Sequence, residues 1–208
     1  MIAGLYAITR ETDDTAQLLA AVAAALRGGA KTVQYRDKSG DVARQHEQAS
    51  ELLHLCHRHE VPLIINDSLR LADLVGADGV HLGCDDGSVR EARIILGHDR
   101  IVGVSCYQSL PLALAAQDAG ADYVAFGRFF VSATKPNAAQ AELSLLHQAA
   151  HQIHRPIVAI GGVTLDNAER LIMAGADAVA VVGGLFDSDD IEDTAQQFAD
   201  LFLDETED

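Results

Sequence analysis

Several short stretches place polar or charged side chains directly behind apolar runs. They are Val33-Gln34-Tyr35-Arg36-Asp37-Lys38, Ile65-Asn66-Asp67, His81-Leu82-Gly83-Cys84-Asp85-Asp86, Gly103-Val104-Ser105, and Gly127-Arg128 continuing to Ser132, Thr134 and Lys135. Two more end in diglycines, Ile160-Gly161-Gly162 and Val182-Gly183-Gly184. The chain has only three lysines, Lys31, Lys38 and Lys135, and two of them stand in these stretches. In a chain of net charge -16, Arg36, Lys38 and Lys135 beside Gln34, Asn66 and Ser105 point to an anionic ligand. Asp67 and Asp86 suit Mg²⁺, which takes a few carboxylates and completes its shell with phosphate oxygens and water. Each could instead cap the helix that follows it. The diglycines let a phosphate approach backbone N–H groups closely, or serve turn geometry alone. Two anion sites, one with a metal and one without, fit a reaction that handles a pyrophosphate and a monophosphate.

Other candidates weigh less. His81 falls inside an apolar run and reads as a hydrogen-bonded or barrel-filling side chain rather than a base. His54, His57 and His59 share one helical stretch and read as solvent-facing. Cys84 and Cys106 have no neighbouring base to activate them and read as small apolar fillers. The sequence contains no nucleophile elbow, Walker A loop or metalloprotease helix.

What must position these residues follows from a repeated phrase. Gly29-Ala30-Lys31-Thr32-Val33 recurs as Gly76-Ala77-Asp78-Gly79-Val80, Gly120-Ala121-Asp122-Tyr123-Val124 and Gly175-Ala176-Asp177-Ala178-Val179. Each copy follows a helix-periodic stretch and opens a β-like run, with glycine suited to end the helix. The spacings of 47, 44 and 55 residues fit two βα units each. Strands are expected at Gly4–Ile8, Thr32–Tyr35, Pro62–Ile65, Gly79–Leu82, Ile101–Ser105, Tyr123–Phe126, Pro156–Ile160 and Ala178–Val182. Helices are expected at Asp13–Leu26, Val42–His59, Leu69–Val75, Ser88–Leu96, Leu110–Ala119, Leu143–Ile153, Asp166–Ala174 and Ile191–Leu203. Eight such units predict an α/β protein, a single-domain (β/α)₈ TIM barrel of eight parallel strands. Its active face lies at the strand C-termini, where the polar stretches fall. The near-continuous apolar strands agree with a parallel sheet covered on both faces. An open doubly wound sheet would call for a GxGxxG behind the first strand, where Ile8-Thr9-Arg10-Glu11 stands.

Composition narrows the setting. The 208 residues are 49% hydrophobic and 22% charged, a balance that supports one packed domain spanning 1–208. No run approaches a bilayer-spanning length, and no basic, apolar leader opens the chain. Three cysteines without a CxxC point to a reduced, cytoplasmic protein. The acidity is concentrated at 187–208, an acidic C-terminal helix and tail with ten acids and no Lys or Arg. Such a field repels nucleic acid. The partners expected are therefore small molecules, with neither membrane nor nucleic acid; homo-oligomerisation stays open.

Taken together, the stretches resemble the thiamine-phosphate synthase family. The likeness rests on Val33–Lys38, Ile64-Ile65-Asn66-Asp67, Ala77–Gly83, Gly103-Val104-Ser105-Cys106, Thr134-Lys135-Pro136 and Ala159–Val163, and runs from Gly4 to about Phe186. It implies a transferase that joins hydroxymethylpyrimidine pyrophosphate to hydroxyethylthiazole phosphate, releasing pyrophosphate through a dissociative, carbocation-like substitution. By position it implies that Gln34, Arg36, Lys38, Asn66 and Lys135 hold the pyrimidine pyrophosphate. Ser105 would lie beside the pyrimidine, and Asp67 and Asp86 would bind Mg²⁺. Ser132, Thr134, Gly162, Val182 and Gly183 would hold the thiazole phosphate. Lys135, Arg36 and Ser105 are the residues expected to bear most directly on catalysis. Two positions depart from the family pattern: Cys84, usually glutamine, and Gly183, often serine. The alternatives would be a thiazole tautomerase, which need not keep the pyrophosphate and metal set, or a non-catalytic thiamine-phosphate binding protein, against which intact metal ligands argue.

Overall fold

A computed structural model of the chain describes residues 2–131 and 141–203. Its strands are β1 (Gly4–Ile8), β2 (Thr32–Tyr35), β3 (Leu63–Asn66), β4 (Gly79–Leu82), β5 (Ile101–Tyr107), β6 (Tyr123–Gly127), β7 (Ile157–Ile160) and β8 (Ala178–Val181). They form a closed parallel barrel in sequence order, with β1 paired to both β2 and β8. The connecting helices are α1 (Thr15–Arg27), α2 (Val42–Arg58), α3 (Leu69–Val75), α4 (Val89–Leu96), α5 (Leu110–Asp118), α6 (Ser144–Gln152) and α7 (Leu165–Ile172). A short α8 (Gly183–Phe186) and a final α9 (Ile191–Asp200) follow β8. The expected barrel is present, with element ends shifted by a few residues.

The strands form here because their β-branched and apolar residues are covered on both sides. Leu5, Val33, Leu63, Val80, Val102, Val124, Ala159 and Val179 face the helix layer and are fully buried. A second, smaller cluster fills the barrel interior, built around Tyr6, Ile8, Ile64, Tyr123, Val158 and Ala180. Burying each large apolar side chain stabilises the fold by about 1.5–3 kcal/mol relative to exposure. Gly103 of β5 makes room for an interior tyrosine ring: a Cβ there would fall 1.9 Å from Tyr123 Cζ.

Six of the helices are started by side-chain caps. Asp14, Asp41, Ser68, Ser109 and Asp190 each accept from a backbone N–H of the first turn, and Ser88 forms a full capping box with Glu91. Ser68 and Ser88 hold the cap positions of α3 and α4, so Asp67 and Asp86 are not the caps and their carboxylates are left for other partners. At the start of α7 the Thr164 backbone N–H donates to Asn167 Oδ1 at 3.0 Å.

Two local features differ from expectation. Strand β5 continues past Ser105 to Tyr107, with a register shift against β6 between those residues. Helix α8 is too short to leave a periodic signal, and it starts directly at the Gly183-Gly184 pair. The acidic α9 buries one face, with Ala195 and Phe198 inaccessible. It lies close against the end of α1, where a Cβ on Gly28 would meet the Glu192 carbonyl at 2.3 Å. Arg27 Nε also donates to Glu192 at 2.8 Å. Residues 204–208 of the acidic tail lie outside the described residues.

Candidate active site

At the C-terminal end of the barrel a cavity of about 560 Å³ opens. Gln34, Arg36, Lys38, Asn66, Asp67, Asp86 and Ser105 line it from the exits of β2 to β5. Gly162, Val182 and Gly183 line it from the exits of β7 and β8. Every residue expected to hold substrate or metal, among the described residues, is thus brought to one cavity. Ser132, Thr134 and Lys135 lie outside the described residues.

The β2 exit is held from below. Asp37 has no exposed side-chain surface and pairs with Arg44 at 3.3 Å. Ser39 N donates to Asp37 at 2.7 Å, and Gln45 Nε2 donates to its carbonyl at 3.1 Å. Burial pushes the Asp37 carboxyl upward, but these bonds and Arg44 prevail and hold it below the usual carboxylate value. On the other side, Arg36 N donates to Thr9 Oγ1 at 3.0 Å. Arg36 and Lys38 therefore leave a loop whose central residue is locked into the fold.

Asp67 sits at φ 65°, a left-handed conformation that aspartate tolerates better than most residues. Its backbone N–H donates to the His81 carbonyl at 2.8 Å, tying the exit of β3 to β4. Its carboxylate pairs with Lys38 Nζ. Asp86 accepts from Gly83 N at 3.0 Å. Partial burial, and then the adjacent Asp67 carboxylate, raise the Asp86 carboxyl above the ordinary value. Two neighbouring carboxylates whose charges oppose one another fit a hard divalent cation that would relieve that repulsion. No group of three or more potential ligands occurs among the described residues, so such a cation would draw the rest of its shell from water or a bound phosphate.

The opposite end is shaped by close backbone approach. A Cβ at Gly162, which has φ 67°, would fall 2.4 Å from the Val131 carbonyl oxygen, and one at Gly184 would fall 2.3 Å from that of Val163. These two glycines are required by packing between neighbouring loops. Gly183 differs, because a Cβ there would meet only the tip of the Asp187 carboxylate, at 2.8 Å. Asp187 in turn pairs with Arg10, and both line the cavity.

His81 is buried and hydrogen-bonded to Ser105 and Tyr123. His54, His57 and His59 lie on or just after α2 and are exposed, with His57 bonded to Asp78 at 3.0 Å. Cys106 is a buried filler whose thiol burial pushes up to about 12. Cys84 is not a filler: it falls in the turn behind β4, where no element covers it, and is exposed with Sγ 3.3 Å from Asp85. Polar and charged cavity residues that the sequence did not signal include Arg10, Tyr6, Tyr123, Tyr107 and Asp187.

The comparisons with known proteins agree with this geometry. The family profile described as thiamine monophosphate synthase matches residues 5–185. The chain is 63% identical over 204 residues to a thiamine-phosphate synthase of Thiobacillus denitrificans, covering 98% of this chain and 97% of that protein. It is 53% identical over 201 residues to one from Chromobacterium violaceum, covering 97% of each. Among solved structures, a thiamine phosphate pyrophosphorylase from Pyrococcus furiosus superposes with a TM-score of 0.87 at 29% identity, covering 97% of this chain and 96% of that one. With a matching profile across nearly all of the barrel and relatives this similar, the chain belongs to the thiamine monophosphate synthase family.

Proposed function

We propose that this chain is a thiamine-phosphate synthase, joining hydroxymethylpyrimidine pyrophosphate to hydroxyethylthiazole phosphate with release of pyrophosphate. The observation that carries the reading is the division of one cavity into two ends. Cations and paired carboxylates gather at the exits of β2 to β4, and glycine backbone lines the exits of β7 and β8.

In this reading Arg36, Lys38 and Asn66 hold the pyrophosphate, and Gln34 and Ser105 border the pyrimidine. Asp67 and Asp86 would hold Mg²⁺, which when bound supplies charge neutralisation to the departing pyrophosphate. Arg36 and Lys38 add fixed positive charge where negative charge develops as the C–O bond breaks toward a carbocation-like pyrimidine. Gly162, Val182 and Gly183, together with Ser132 and Thr134, anchor the distant thiazole phosphate. That anchoring aims the ring nitrogen at the methylene carbon. Orientation of this kind contributes several kcal/mol without any side-chain nucleophile. Lys135 belongs to the same proposal as a further cation at the pyrophosphate. Residues 1–208 act as one unit in this account, and three unpaired cysteines support a cytoplasmic setting. No helix among the described residues is long and apolar enough to cross a membrane.

The test is turnover with each substrate withheld in turn. Thiamine phosphate, read as fluorescent thiochrome, is expected only with both substrates and a divalent cation. Isomerisation of a thiazole phosphate alone, without coupling, would replace this reading with a tautomerase.

A further inference from the structure

On the floor of the cavity, five side chains from five strands form one hydrogen-bonded line, and all five line the cavity. Gln34 Nε2 donates to the Tyr6 hydroxyl at 2.8 Å. The Tyr6 and Tyr123 hydroxyls lie 2.8 Å apart, Tyr123 Oη lies 2.9 Å from His81 Nδ1, and His81 Nε2 lies 2.8 Å from Ser105 Oγ. Gln34, Tyr6, Tyr123 and His81 are all buried. The His81 and Tyr123 rings stack, with centroids 5.6 Å apart. Only Ser105 at the end of the line is partly open.

The direction of the line follows from counting protons. Burial pushes both phenols well above their ordinary value, so each keeps its hydrogen. Tyr6 receives from Gln34, and among the described residues the acceptor its own hydrogen meets is Tyr123. Tyr123, having received, gives its hydrogen to His81 Nδ1. A neutral imidazole then carries its proton on Nε2 and donates it to Ser105 Oγ. Ser105 has received, so its own hydrogen is turned into the cavity. In the opposite sense Tyr6 would accept twice, and its buried hydrogen would have no acceptor among the described residues, which is unfavourable.

We propose that Tyr6, Tyr123 and His81 are positioning residues that fix the Ser105 hydroxyl as a hydrogen-bond donor into the cavity, so that the site selects a ring presenting an acceptor nitrogen there. The inference rests on the reading that places the pyrimidine beside Ser105. It adds which edge of that ring is chosen: a ring nitrogen, not the exocyclic amine, which offers N–H.

Two measurements test it separately. In the substrate-free enzyme, ¹⁵N NMR of His81, assigned by loss of its signals in His81→Gln, is expected to show the neutral Nε2–H tautomer. An Nδ1–H tautomer or an imidazolium at neutral pH overturns the line itself. In kinetics, Tyr123→Phe is expected to raise KM for the pyrimidine pyrophosphate about tenfold and leave KM for the thiazole phosphate unchanged. In a Ser105→Ala background the same change is expected to add less than twofold, because its effect passes through Ser105. An undiminished effect in that background overturns the positioning role. Tyr6→Phe, one hydroxyl further along the line from Ser105, supplies the same cycle should Tyr123→Phe fail to fold. A Ser105→Ala enzyme with unchanged KM for the pyrimidine substrate overturns the placement of the ring and the selectivity with it, whatever tautomer His81 shows.

Discussion

Lys38, at the exit of β2, pairs through Nζ with the carboxylate of Asp67 at the exit of β3, 29 residues further along the chain. The same carboxylate neighbours Asp86. Lys38 therefore offsets part of the negative charge of a carboxylate pair, and it stands where the pyrophosphate is proposed to lie. Its two duties pull measurable quantities in opposite directions.

Lys38→Met is expected to raise KM for the pyrimidine pyrophosphate about 10- to 100-fold, the loss of one charged hydrogen bond at about 1.5–3 kcal/mol. The same variant is expected to bind Mn²⁺, used as a spectroscopic probe, more tightly than the wild type, because a competing cation has gone. Equilibrium binding of Mn²⁺ and steady-state kinetics on one preparation check both. Weaker Mn²⁺ binding in Lys38→Met would contradict the arrangement.

Removing either carboxylate should expose the cation requirement. Asp67→Asn and Asp86→Asn are each expected to weaken Mn²⁺ binding at least tenfold, on the scale of a lost charge-assisted contact. The wild type is expected to lose turnover in EDTA and regain it on addition of Mg²⁺. Full turnover in EDTA would remove the metal from the account.

The two glycines at the start of α8 should respond differently. Gly184→Ala places a Cβ 2.3 Å from the Val163 carbonyl oxygen, a backbone atom, so the variant is expected to lose thermal stability markedly. Gly183→Ser meets only the flexible tip of Asp187 and is expected to fold. The added hydroxyl is expected to lower KM for the thiazole phosphate about fivefold, the worth of one hydrogen bond at about 1 kcal/mol. Thermal melts and KM values for both variants settle the contrast.

Asp37 gives a pH signature of the loop that carries Arg36 and Lys38. Its carboxyl titrates below the ordinary 3.8, opposed by burial but drawn down by Ser39, Gln45 and Arg44. A carboxylate depressed in the folded state contributes stability that is complete above the unfolded pKa and is lost as pH falls through the lower folded value. Wild type is therefore expected to melt higher than Asp37→Asn at pH 6, with the gap closing as the pH drops below 3.8. A gap that stays constant down to pH 2 would show that Asp37 contributes through packing alone.

Much of this was legible in the sequence because barrel strands announce themselves. Leu63-Ile64-Ile65 or Val179-Ala180-Val181 can be apolar throughout only where both faces are covered. The polar residues behind each run then fall at one end of the barrel by topology alone. The ambiguity over Asp67 and Asp86 was local, since Asp, Ser and Thr all cap helices. It resolves because Ser68 and Ser88 take the caps. Tyr6 and Tyr123 were not legible, because they are 117 residues apart and look like ordinary interior aromatics until the barrel closes and their hydroxyls meet. Arg10 and Asp187 were hidden for a similar reason. Their pairing depends on β1 lying beside β8, a contact between the two ends of the barrel sequence.

The most direct measurement of the central claim is ³¹P NMR of the enzyme with both substrates and Mg²⁺. The account predicts that the diphosphate-ester signals of the pyrimidine substrate give way to free pyrophosphate, with one thiamine phosphate formed for each pyrophosphate and the monophosphate ester intact throughout. Orthophosphate in place of pyrophosphate, or pyrophosphate without thiamine phosphate, would contradict it.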